Sequence, residues 1–160
     1  RGARKYKDGE RIPFQYMLFG NAMLKRTIMQ ECGYFDESMK KYGGEDIDLS
    51  ARIWAKYPKG FVFSKNSDSV HHHRRSLNQF CNSMYTYGRY NLPLLIKKYP
   101  HHKKKFAAEW IFSFKGRLLF SSPLKILINL IIKIYPLQIL IRYIVADAVI
   151  RGARSSEMFG

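Results

Sequence analysis

Three acids, Glu45, Asp46 and Asp48, follow the pair Gly43-Gly44 in the run KKYGGEDIDLSARIW, residues 40–54. The chain holds 12 acids against 28 Lys and Arg among its 160 residues, so three within one turn stand out. A carboxylate in the first turn of a helix sits at the positive end of the macrodipole. That position favours its ionised form and readies it to accept a proton near neutral pH. The glycines let backbone and ligand approach closely. Arg52 stands four residues beyond Asp48, at the spacing of a helical ion pair. Acids at a helix start also serve simply to cap it and complement its dipole. Further along, His71, His72 and His73 precede Arg74 and Arg75. A neutral imidazole can ligate a divalent metal, and an arginine pair carries fixed positive charge that can meet an anion. A solvated histidine run and a solvated basic turn are the plain alternatives.

These side chains need elements to hold them. From Asp46, Leu49, Ile53, Trp54 and Tyr57 recur at helical spacing, and Pro58 ends the helix. Residues 1–13 read as a loop. Residues 14–24 are aromatic and apolar and read as a strand entering a tight turn at Gly20-Asn21. Residues 25–32 read as a short helix stopped by Gly33. Short strands are expected at 60–64 (GFVFS) and 68–73. In the second of these, strand alternation points His72 one way and His71 and His73 the other. A helix with Phe80, Tyr87 and Tyr90 is expected over 77–90.

The formal charge of +16 calls for an anionic partner: nucleic acid, a phosphorylated small molecule or an anionic membrane face. Cys32 and Cys81 match no metal spacing and read as free thiols in a reducing compartment. No signal peptide opens the chain, and it begins at Arg1 without an initiator Met, so a piece of something longer is expected.

The order of these motifs resembles the C-terminal, acceptor-side half of inverting glycosyltransferases of family 2, which have the GT-A fold. The run GNAMLKRTIMQECGYFDESM (20–39) resembles that family's strand, Gly-Asn turn, short helix and Gly-Tyr-Phe-Asp-Glu loop. GEDIDLSAR (44–52) resembles its Gly-Glu-Asp-x-Asp-Leu-x-x-Arg segment. SVHHHRRSL (69–77) and Tyr87-Gly88-Arg89 follow in the family's order. The resemblance implies an α/β fold: a partial GT-A-like mixed sheet with flanking helices, then C-terminal amphipathic helices. It implies Asp46 as the base that takes the acceptor hydroxyl's proton. Glu45, Gly44, Gly20 and Asn21 would line the acceptor side, His72 would meet a divalent metal (Mg or Mn), and Arg74 and Arg75 would face the diphosphate. The implied partners are a nucleotide-sugar donor and a glycan or lipid-linked acceptor. Two departures stand out. Members often place a Gln where this chain has Ser83. Their metal-binding Asp-x-Asp, in an earlier nucleotide-binding half, has no counterpart: Asp46-Ile47-Asp48 belongs to the base motif. The N-terminal nucleotide-binding half is therefore expected to be missing, and the chain alone to bind donor poorly.

Three regions result: residues 1–95, the glycosyltransferase half; 96–117, a basic linker with Lys97, Lys98, Lys103, Lys104 and Lys105; and 118–160, an apolar tail. In the tail, Lys125, Asn129 and Lys133 form one polar stripe, and Gln138 and Arg142 repeat it. Each apolar segment falls short of the roughly 20 residues that span a bilayer. Helices lying in an anionic membrane interface are expected, placing the protein at the cytoplasmic face, peripheral or monotopic. Packing against the rest of a larger protein is the alternative. No nucleic acid is expected as a partner under this assignment. The competing class is a non-enzymatic basic module binding nucleic acid or anionic membrane, its tyrosines stacking on bases.

Overall fold

The computed structural model describes residues 6–17, 19–70, 72 and 74–159. Part of the 1–13 loop, Leu18 of the first expected strand, and His71 and His73 lie outside the described residues. The chain divides into two compact units: residues 1–39 with 44–73, and residues 40–43 with 74–160.

The first unit overturns the expected mixed sheet. Among the described residues there is no strand, only an isolated antiparallel bridge between Arg11 and Val62. Residues expected as the first strand form two 3-10 turns instead, Phe14–Tyr16 and Phe19–Asn21. The physical reason is local. Pro13 enters at φ −63°, and the N–H groups of Tyr16 and Met17 bond back to the carbonyls of Pro13 and Phe14, each at 3.0 Å. An aromatic run has strand propensity, but a strand needs neighbours for its ladder. Here residues 61–63 pair with the short 9–12 segment, through Ile12 N–H to Phe61 O at 3.0 Å and Phe63 N–H to Glu10 O at 2.8 Å, and the pairing extends to no named strand among the described residues. The described part of 68–73 has no regular structure.

Two helices make up the rest of this unit: α1 (Arg26–Cys32), followed by Gly33 at φ +76°, and α2 (Glu45–Lys56). Leu49, Ala51 and Ile53 of α2 are buried, as are Phe14 and Phe61. The Trp54 ring lies 6.3 Å from Phe14 and 5.4 Å from Phe61, centroid to centroid. The apolar side chains meant for a sheet thus bury against a helix.

The second unit is helical throughout its named elements. Helix α3 (Leu77–Thr86) starts with a capping box: Ser76 Oγ accepts from Gln79 N–H, and Gln79 Oε1 accepts from Ser76 N–H. It runs through a π turn at Tyr87–Asn91 into α4 (Leu92–Lys98). Pro93 has no N–H to return to the preceding turn, and the wider π turn accommodates it, with Leu92 N–H bonding Tyr87 O. Then come α5 (Glu109–Phe112), α6 (Phe114–Leu119), α7 (Ser122–Ile134) and α8 (Gln138–Arg154).

Helix α8 packs along α3 and the π turn. The helices meet at Gly88 and Gly152, where an added Cβ would collide with the carbonyls of Val149 and Tyr85 respectively. Leu92, Ile96, Ile111, Phe120, Ile150 and Ala153 form the core. Asp147 of α8 is fully buried and paired with Arg151 Nε at 2.8 Å and with Lys125 Nζ of α7 at 2.9 Å. The tail helices therefore differ. α8 buries Ile144, Ala148, Ile150 and Ala153, whereas Ile128 is the one residue of α7 that is buried.

Candidate functional site

Helix α2 begins at Gly44, which is buried and adopts φ +98°, ψ −19°. Gly43 before it has φ +77°. A side chain at either position would be strained, so the two glycines are what allow the chain to turn sharply into the acidic first turn. The helix then presents Glu45, Asp46 and Asp48 in succession.

Asp48 is structural. Its carboxylate is fully buried and accepts from Arg52 Nε at 2.9 Å, the ion pair expected from the spacing. The same guanidinium donates to the carbonyls of Cys32 and Tyr34, the latter at 2.5 Å. Arg52 thus clamps the Gly-Tyr-Phe loop after α1 to α2. Gly33 lies against it, since a Cβ there would come within 3.1 Å of its Nη1.

Asp46 is partly buried, and its Oδ1 accepts from the N–H of Ile47 at 2.8 Å. Burial pushes its carboxyl above the usual aspartate range. The Ile47 N–H opposes the shift and the neighbouring Glu45 adds to it. The sign is opposite to that expected from the helix dipole: loss of solvent outweighs the backbone donors. Beside it, Glu45 Oε2 is buried with no hydrogen-bond partner, a state shared among the described residues only by Gln15 Oε1 in the same unit. A buried carboxylate oxygen left unpaired is costly. It is the kind of acceptor that a ligand hydroxyl satisfies.

The other expected site residues are placed as follows. Gly20 and Asn21 are exposed at the end of the second 3-10 turn, and Asn21 Nδ2 donates to Ser67 O at 2.6 Å. His72 is exposed. Among the described residues no three His, Cys, Asp or Glu side chains come together to hold a metal. One imidazole does not make a site for Mg or Mn, which take several oxygen-rich ligands. Arg74 and Arg75 belong to the second unit and are exposed, with the Arg75 guanidinium 5.4 Å from the centre of the Tyr42 ring.

Asn91 carries a role that spacing does not suggest. Its side chain is 2% exposed, and Nδ2 donates to Lys41 O at 2.8 Å and Gly43 O at 2.6 Å. The loop that precedes the acids is thereby fixed to the π turn. A polar residue at the start of an apolar helical run, two residues before Pro93, is the one trace of this in the sequence. Gln15 left no trace beyond its place in an aromatic stretch.

Part of the chain matches curated proteins. Over 44 residues it is 36% identical to the chondroitin synthase of Pasteurella multocida (strain Pm70), a match covering 28% of this chain and 5% of that protein. Over 66 residues it is 32% identical to the uncharacterised glycosyltransferase YfnE of Bacillus subtilis (strain 168), 41% of this chain and 16% of that protein. The chain thus spans a small part of the length of either relative. No protein-family profile matches it, and no solved structure does. The local identity relates part of the chain to these proteins.

Proposed function

We propose that this chain contributes the acceptor side of a glycosyltransferase that moves a sugar from a nucleotide-sugar donor to a hydroxyl of a glycan or lipid-linked acceptor. Asp46 takes the hydroxyl proton as the acceptor oxygen forms its bond to the anomeric carbon and the nucleoside diphosphate departs with the bonding electron pair. Attack from the face opposite the leaving group inverts the anomeric centre. A carboxylate whose pKa is raised by burial is a stronger base than an ordinary aspartate. Glu45 accepts a second hydrogen from the acceptor and orients it.

The observation that carries this assignment is the pairing, in the first turn of α2, of an unpartnered buried Glu45 oxygen with a desolvated Asp46. The partial identity to a chondroitin synthase and to a glycosyltransferase supports the reaction class. The test is sugar transfer by the protein that carries this chain, followed with a labelled nucleotide sugar. Asp46→Asn keeps the oxygen that accepts from Ile47 but cannot take a proton. It is expected to lower kcat by a factor on the order of 100 or more with donor binding retained. Undiminished turnover would remove Asp46 from the chemistry.

A further inference from the structure

Helix α7 leaves an apolar face uncovered. Its orientation is fixed by the Lys125–Asp147 ion pair and by Ile128, which is 8% exposed. With those two facing inward, Ile126, Leu127, Leu130 and Ile134 face outward, 53–71% exposed, and the turn into α8 adds Leu137 and Ile139 at 57% and 69%. Lys133, Arg142, Lys115 and Arg117 of the same unit are exposed. Between residues 114 and 154 the single acid is Asp147, which is buried and already paired with two cations.

We propose that α7 and the α7–α8 turn form a docking surface for an anionic lipid bilayer. The helix lies in the plane of the interface, its apolar face among the acyl chains and Lys133 and Arg142 at the headgroup phosphates. Thirteen residues span about 20 Å, short of the ~30 Å hydrocarbon core, and among the described residues no helix is long and apolar enough to cross a membrane. Charge selects the occupant. A second copy seated on this face would set Lys133 and Arg142 against the same residues with no acid to meet them, whereas anionic lipid complements them. Unlike α7, α8 is packed within its unit and stays there. The surface does not depend on Asp46 or on any transfer activity.

Co-sedimentation of the chain with vesicles tests it. Binding is expected to an equimolar mixture of phosphatidylcholine and phosphatidylglycerol, and more weakly to phosphatidylcholine alone. Leu130→Glu with Ile134→Glu alters exposed positions only, so helical circular dichroism is expected to be unchanged while partitioning falls at least about tenfold. Lys133→Glu with Arg142→Glu, a second pair, is expected to lower partitioning to the mixed vesicles by a similar factor and to weaken its salt dependence. No binding to the mixed vesicles, or equal binding by the Leu130/Ile134 variant, would overturn the proposal. So would a concentration-dependent dimer that the same substitutions dissolve, which would make a second copy the occupant.

Discussion

At the scale of single residues, the two aspartates of α2 have opposite fates. Asp48 is buried and satisfied by Arg52, while Asp46 is desolvated and has no ion pair among the described residues. The consequence for stability has a definite sign. A carboxyl whose folded pKa is raised is neutral in both states below its unfolded value of 3.8, where its contribution is fully present. That contribution is lost as pH rises through the folded value, because the native state must then ionise a buried group. Asp46→Asn is therefore expected to match the parent protein in acid and to exceed it in thermal stability toward neutral pH, the margin opening from pH 3.8 upward. Melting curves across pH read this directly, and a variant less stable at neutral pH would contradict it. Destabilisation of this kind toward neutral pH is what the proposed role of Asp46 as base entails. Arg52→Ala should do the reverse. It strands the buried Asp48 and frees the Cys32–Tyr34 loop, at a cost of about 3 kcal/mol in denaturant unfolding.

Among elements, the tightest restraint is the crossing of α8 over the α3–π–α4 run. Gly88→Ala would push a methyl group into the Val149 carbonyl, and backbone on both sides leaves no flexible side chain to yield. A loss of about 3 kcal/mol is expected, from overpacking of a close-packed contact. A denaturation midpoint unchanged within error would show that the helices can separate without cost. Elements with a local pattern were legible in the sequence, and contacts between distant residues were not. Helix α2 was legible because its pattern is local: apolar residues at helical spacing, Pro58 after it, and Asp48 four residues before Arg52. So were α7 and α8, through their polar stripes. The strand at 14–24 was not, because an aromatic run encodes a preference for a half-buried surface and leaves open whether that surface is a sheet or a helix. Phe14 found α2, and its backbone closed on itself in 3-10 turns. Gly88, Gly152 and Asn91 were illegible for a different reason: each matters through a partner at least 48 residues away, and spacing within a single sequence does not encode such pairs. At the candidate site, the acids and the glycines before them were visible as types, but the burial that reverses the expected pKa direction of Asp46 was not.

For the whole molecule, each of the two units has its own apolar core, Phe14, Leu49, Ile53 and Phe61 in one and Leu92, Ile96, Ile111 and Ile150 in the other. A unit with its own core can unfold in its own cooperative transition. The chain provides a reporter for each. Of its two tryptophans, Trp54 lies in α2 beside Phe14 and Phe61, and Trp110 lies in α5 against the core of the second unit. Trp110→Phe leaves fluorescence that reads the first unit, and Trp54→Phe leaves fluorescence that reads the second. Two different midpoints in urea are expected. Adding Gly88→Ala to each background sharpens the comparison, because that glycine and its contact belong wholly to the second unit. The midpoint read by Trp110 should fall by an amount set by about 3 kcal/mol divided by the m-value, while the midpoint read by Trp54 stays where it was. If both reporters move together, the two cores unfold as one.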